Sequence, residues 1–297
     1  MSHADPAELI ESARSTGRGI GAFNAICLEH AEAIVEAAEE EKTPAILQIS
    51  ENTVAYHGGR IAPLAAACLK LIDGAAVPLA LHLDHATTLD LCKEAAEAGL
   101  RSVMFDASVS DYNDNVRRTA FATEWARSNG IWIEAELGEI GGKDGAHAPG
   151  VRTKPHEAAG FVEATGVNCL AVAIGTSHGM LDRSASLDLQ LLDSIAKEVP
   201  VPLVLHGSSG VSDTLLAAAV AHGMAKVNVA TQLNQAFTKS VRTVLSGNTT
   251  TADPRTYLGP GRASIVTTTR RLIRVLRGDE PAAWPQHSIH EKKKAHA

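Results

Sequence analysis

The sequence predicts an α/β fold, a single (β/α)8 TIM barrel with a C-terminal helical extension, and three observations lead there. Short β-branched apolar runs alternate strictly with Ala-, Glu- and Leu-rich segments of helical period, which calls for a parallel sheet covered by helices. Eight such units follow one another over about 230 residues, the number that closes a barrel. The first predicted strand is followed by Asn24-Ala25-Ile26, where an open doubly wound sheet would carry phosphate-binding glycines.

Taken in order, strands are predicted over 19–24, 44–50, 77–84, 101–106, 131–137, 168–175, 201–206 and 225–229. Pro44, Pro78 and Pro202 stand at strand starts, where a missing N–H is tolerated. Helices are predicted over 28–42, 60–73, 89–98, 112–129, 155–165, 187–198 and 212–223. The first of them stacks Ile34, Val35 and Ala38 on one face and turns Glu32, Glu36, Glu39 and Glu40 mostly outward. Gly99, Gly130, Gly166 and Gly223 follow helices, as C-terminal caps do. Helix 232–245, a polar loop over 247–253 and a helix near 262–276 complete the extension. One domain is expected over 1–278, with the lysine-rich end, 279–297, a frayed tail.

Composition narrows the function classes. The 297 residues are 45% hydrophobic and 21% charged, so a sizeable core forms and wholesale disorder is excluded. No apolar run approaches the ~20 residues of a membrane span, and no signal pattern opens the chain, so a cytoplasmic protein without a membrane partner is expected. A net charge of −7 with 4% aromatic residues argues against a nucleic-acid surface. Cys27, Cys68, Cys92 and Cys169 are scattered and suggest neither a disulfide framework nor a zinc ribbon.

Functional residues of such a barrel lie where strands end and loops begin. Those ends carry Asn24, Ser50, Asp84-His85, Asp106, Glu136, His178, His206 and Asn228. Strand alternation places His82 and Asp84 toward the barrel axis, with His85 the first residue past the strand. A lone histidine at such a place is more often structural than a ligand. Three of them, at the ends of strands 3, 6 and 7, can converge as a three-imidazole site with one position open, the arrangement of a catalytic zinc.

A second constellation surrounds them. Gly207-Ser208-Ser209-Gly210 leads into a helix whose free N–H groups favour an anion, and Gly179 permits close backbone approach. Asn228-Val229-Ala230-Thr231 ends strand 8 beside it, with Thr231 in a capping position. A phosphate site after strands 7 and 8 is frequent in barrels and is the expectation here, with a pair of ordinary helix caps as the alternative. No lysine stands at a strand end in a Schiff-base position; Lys226 lies at the start of strand 8, far from the mouth.

The segments His82-Leu83-Asp84-His85, Glu134-Ala135-Glu136-Leu137-Gly138, Ala173-Ile174-Gly175-Thr176-Ser177-His178-Gly179, Leu205-His206-Gly207-Ser208-Ser209-Gly210 and Asn228-Val229-Ala230-Thr231 carry a resemblance. Together they resemble the class II, zinc-dependent ketose-bisphosphate aldolases. The likeness is nearest the branch of tagatose-bisphosphate and short-type fructose-bisphosphate aldolases, and runs from about 17 to 276. Asp253-Pro254-Arg255-Thr256-Tyr257-Leu258 resembles that family's C-terminal signature.

The resemblance implies reversible retro-aldol cleavage of a ketose 1,6-bisphosphate to dihydroxyacetone phosphate and an aldehyde. It implies His85, His178 and His206 as ligands of one catalytic Zn2+, with Asp106 and Glu136 near a second metal position. Asp84 is the implied acid/base. Gly179, Gly207, Ser208, Ser209, Asn228 and Thr231 are implied to hold the ketose-side phosphate, and Asn24 and Ser50 to line the cleft. A monovalent cation near the phosphate and a homo-oligomer, dimer or tetramer, belong to the same expectation.

Two departures stand out. Family members carry an acidic pair after Gly141-Gly142, including a glutamate that moves the proton alpha to the ketone; here Lys143 and Asp144 stand in a loop about two residues shorter. Asp144 is the expected substitute, with His147 an alternative. Ala230, common in the tagatose-type branch, replaces a polar residue of many fructose-type members. A catalytically impaired homologue that keeps metal and phosphate binding, and a zinc hydrolase barrel, remain open at this point.

Overall fold

The computed structural model describes residues 3–138 and 151–279. Eight parallel strands close a barrel in chain order: β1 (Ile20–Asn24), β2 (Ala45–Ser50), β3 (Leu79–Ala86), β4 (Ser102–Phe105), β5 (Trp132–Leu137), β6 (Cys169–Val172), β7 (Leu203–Leu205) and β8 (Met224–Val229). The helices are α1 (Pro6–Ser15), α2 (Leu28–Glu40), α3 (Glu51–Tyr56), α4 (Ala62–Gly74), α5 (Leu89–Glu97), α6 (Tyr112–Ser128), α7 (Pro155–Thr165), α8 (Leu189–Glu198), α9 (Asp213–Ala221), α10 (Thr231–Gly247) and α11 (Arg255–Arg277). The predicted barrel and C-terminal extension are present. The expected tail lies outside the described residues except for Asp279.

Alternation along each strand sorts side chains between two cores. Leu79, Leu81 and Leu83 of β3 join the outer core against the helices. His82 and Asp84 occupy the barrel interior, both almost wholly buried. At the base the interior is apolar, filled by Ile20, Ala22, Ile46, Ala80 and Ala225.

Two helices were not foreseen. Helix α1 packs Leu9 and Ile10 against that apolar base and so plugs the barrel. Its start was readable: Asp5 accepts from the Ala7 N–H at 2.9 Å, and Pro6 follows as the first helical residue. Helix α3 begins directly after β2, with Ser50 accepting from the Thr53 N–H.

Helix α11 starts earlier than expected, because Pro260 lies inside it rather than before it. It lies close on α10: a Cβ at Gly261 would meet the Phe237 ring at 2.7 Å. Its arginines join α2, Arg262 to Glu32 and Glu36, and Arg270 and Arg274 to the buried Glu41. Among the described residues, no helix is long and apolar enough to cross a membrane. All four cysteines are free.

Candidate active site

Asp84 and His85 are neighbours in β3 and would face opposite sides of a regular strand. The ladder with β4 slips between Leu83 and Ala86, and His85 takes φ 56°, a left-handed conformation uncommon for a residue with a side chain. This bulge brings both side chains to the mouth, and the strand continues to Ala86 rather than ending at Asp84.

His206 directly follows β7, as expected. His178 does not occupy an equivalent place. Strand β6 stops at Val172 instead of 175, and His178 sits further on, in the loop before α8. Past Val172 the backbone of Ala173 bonds Thr153 rather than a neighbouring strand, and Gly175 then takes φ 124°, where a Cβ would meet the Ser186 carbonyl oxygen at 2.4 Å.

The three imidazoles nevertheless converge. Ring centroids are 4.7 Å apart for His85 and His206, 5.1 Å for His85 and His178, and 5.8 Å for His178 and His206. One nitrogen of each lies within 4.8 Å of the others. His85, Asp106 and Glu136 form a second cluster within the same limit. Among the described residues, four carboxyl groups, on Asp84, Asp106, Glu134 and Glu136, are buried in this interior with a single ammonium, that of Lys226. The donor set and the surplus of buried acid fit a divalent cation such as zinc.

Carboxylates orient the imidazoles. Asp106 Oδ2 lies 2.8 Å from His85 Nδ1, while its Oδ1 accepts from the Ser108 N–H and hydroxyl. Glu136 Oε2 lies 2.9 Å from His206 Nδ1, and Glu134 Oε1 3.0 Å from His206 Nε2. Lys226 Nζ donates to Glu134 Oε2 at 2.8 Å. Burial opposes charge on Glu134, yet Lys226 and His206 hold it well below the usual carboxylate range. Lys226 is thus not remote from the site: it points into the barrel interior with no exposed surface. His82 lies beside it, driven down to about 3 chiefly by burial and so neutral.

Asp84 is clamped by amides. Asn24 Nδ2 donates to its Oδ2 at 2.9 Å and Asn228 Nδ2 to its Oδ1 at 3.1 Å. Gln48 Nε2 donates to Asn24 Oδ1 at 3.0 Å and so fixes the orientation of that amide. Burial pushes the Asp84 carboxyl up, but His85, His206 and Lys226 together with the Asn24 bond bring it to about 2. It is therefore an anion at neutral pH.

The segment after β7 does not run straight into a helix. Gly207, at φ 65°, leads into a short 3-10 turn, Ser208–Gly210, and α9 begins only after its own cap, Ser212. The Ser208 hydroxyl donates to the Asn228 carbonyl. Ser209 Oγ is buried without a hydrogen-bond partner, a donor left for a ligand. Thr231 is the first residue of α10 rather than its cap; Ala230 holds that position.

A cleft of about 510 Å³ joins these parts. Asn24, Ser50, Asp84, His85, His178, Gly179, Gly207, Ser208, Ser209, Asn228 and Thr231 all line it. Asp106, Glu136 and His206 do not line it: all three are buried, His206 being the buried member of the three-histidine cluster. Asp144, with the rest of its loop, lies outside the described residues. A cavity of about 550 Å³ at the opposite end, beside Arg101 and Arg127, holds none of this chemistry. Sequence reasoning assigned no role to Gln48, Glu134 or Lys226; the inward register of the strands was the signal that pointed to them.

A family model described as class-II fructose-bisphosphate aldolase matches residues 4–280. A fructose-bisphosphate aldolase of Staphylococcus epidermidis is 38% identical over 275 residues, covering 90% of this chain and 94% of its own. One from Staphylococcus aureus (strain Mu50) is 37% identical over 275 residues, with the same coverage of 90% and 94%. The crystal structure of the YdjI aldolase from Escherichia coli K12 superposes with a TM-score of 0.81 at 29% identity, covering 94% of this chain and 98% of that one.

Proposed function

Because the chain belongs to the class II fructose-bisphosphate aldolase family, and is an aldehyde-lyase, we propose that it reversibly cleaves a ketose 1,6-bisphosphate, of fructose or tagatose type, to dihydroxyacetone phosphate and an aldehyde. The observation that carries this reading is the meeting of His85, His178 and the buried His206, the first two lining the same cleft as Asp84 and the Gly207–Ser209 turn. The three imidazoles would hold one Zn2+, with His85, Asp106 and Glu136 an alternate position for it. When bound there, zinc supplies Lewis-acid polarisation of the substrate ketone.

The protein's own groups do the rest. Asp84, anionic and aimed by Asn24 and Asn228, takes the proton of the hydroxyl on the carbon that becomes the aldehyde, and returns it in condensation. Gly179, Gly207 and Ser208 offer backbone N–H groups to the ketose-side phosphate. Ser209 adds its hydroxyl, with Asn228 and Thr231 flanking the same end of the cleft. Asn24 and Ser50 line the wall along which the sugar lies. Asp144 is assigned the proton on the carbon alpha to the ketone. Lys226, held by Glu134 without exposed surface, is engaged and not poised for imine formation.

The reading is tested with His178→Ala. The variant should lose stoichiometric zinc along with turnover; retention of one tightly bound zinc per chain would contradict the three-histidine assignment. A monovalent cation beside the phosphate and a cytoplasmic dimer or tetramer complete the proposal, the assembly being checked by light scattering.

A further inference from the structure

We propose that the buried Glu134–Lys226 ion pair is a positioning device for His206, holding its imidazole in the tautomer whose Nδ1 faces the metal. The inference rests on the three-histidine reading and adds two residues that do not touch the substrate cleft. Glu134 and Lys226 come from β5 and β8 and meet inside the barrel, where both are fully buried, as is His206.

The bonds run in one line. Lys226 Nζ donates to Glu134 Oε2 at 2.8 Å, and Glu134 Oε1 lies 3.0 Å from His206 Nε2. The other ring nitrogen, Nδ1, lies 2.9 Å from Glu136 Oε2. Glu136, unlike Glu134, belongs to the cluster that includes His85. Nδ1 therefore faces the metal cluster and Nε2 faces inward. A ligating imidazole keeps one ring proton, and a carboxylate fixed at Nε2 claims it, leaving the lone pair on Nδ1. Lys226 occupies the second oxygen of Glu134, so that carboxylate has one orientation left for the histidine.

A pair retained only for stability is a poor account of the same geometry. Buried ion pairs contribute little relative to apolar side chains of similar size, and the base of this barrel is filled with apolar residues. The charged pair is confined to the layer beneath His206. Its pattern matches the acceptors set behind metal-binding histidines, whose loss lowers metal affinity by about 10- to 100-fold.

Two measurements test the role. In the parent chain, labelled with 15N-histidine and loaded with 113Cd2+, cadmium should couple to His206 through Nδ1. Coupling through Nε2 would overturn the proposal without touching the ligand set. Failure of cadmium to bind at all would overturn the three-histidine reading itself, and this inference with it. The double variant Glu134→Gln/Lys226→Met removes both charges while keeping side-chain volume. Competition against a chromogenic chelator should show its zinc affinity lowered by about 10- to 100-fold. A folded double variant with parental zinc affinity and unchanged Nδ1 coupling would make the pair structural only. Should it fail to fold, the coupling in the parent chain still decides.

Discussion

Asp106 Oδ2 stands 2.8 Å from His85 Nδ1, and the other oxygen of Asp106 is occupied by the N–H and hydroxyl of Ser108. A carboxylate so constrained fixes the plane of an imidazole that a strand bulge has already turned into the mouth. Asp106→Ala should therefore weaken zinc binding by about 10- to 100-fold, read by competition with a chelator. Unchanged affinity would leave Asp106 without this part.

Asp84→Ala should lower cleavage by roughly 10²- to 10⁴-fold while leaving zinc stoichiometry intact. With the carboxyl held at about 2, the acid limb of a kcat/KM profile above pH 4 should belong to other groups and persist in Asp84→Glu. Its disappearance in that variant would contradict the ionisation assigned to Asp84.

Gly207 has φ 65°, and a Cβ there would meet the Ser177 backbone at 2.8 Å. Gly207→Ala should therefore displace the phosphate turn, weakening dihydroxyacetone phosphate binding by about tenfold or more, a loss of at least ~1.4 kcal/mol. Calorimetric titration reads it directly; parental affinity would mean that the turn does not hold the phosphate.

How much of this was legible depended on the range of each signal. Alternation of period two placed His82 and Asp84 inside the barrel, and the strand ends brought His85 and His206 to the mouth. The bulge at His85 was not readable, because a register slip depends on the partner strand. Nor was the Glu134–Lys226 pair: the two residues are 92 positions apart, and local spacing says nothing of which side chains meet across a closed sheet. Helix α1 had a readable start in Asp5 and Pro6, but its role follows only from the open base that Leu9 and Ile10 fill.

That plug yields its own expectation. Ile10, 1% exposed, should destabilise the fold by roughly 2–4 kcal/mol when cut to alanine, with zinc affinity unchanged. Chemical denaturation and chelator competition separate the two effects; a fall in zinc affinity alone would contradict the assignment.

Glu41 links stability to pH. Burial would raise its carboxyl, but Arg274 and Arg270 outweigh that and hold it below the usual value. A carboxyl lowered on folding contributes stability above its unfolded value of about 4.3, and loses it as pH falls through the folded value. Glu41→Gln should thus lower stability on the order of 1 kcal/mol at pH 7, with the difference shrinking as pH falls below about 4. A difference independent of pH would contradict the ion-pair account.

Triose phosphate release from fructose and tagatose 1,6-bisphosphates by the zinc-loaded chain decides whether the chain is a zinc-dependent ketose-bisphosphate aldolase. Dihydroxyacetone phosphate should appear, be lost on chelation, return on adding zinc, and be indifferent to borohydride. Zinc-loaded, folded protein that releases none from either sugar would contradict that reading.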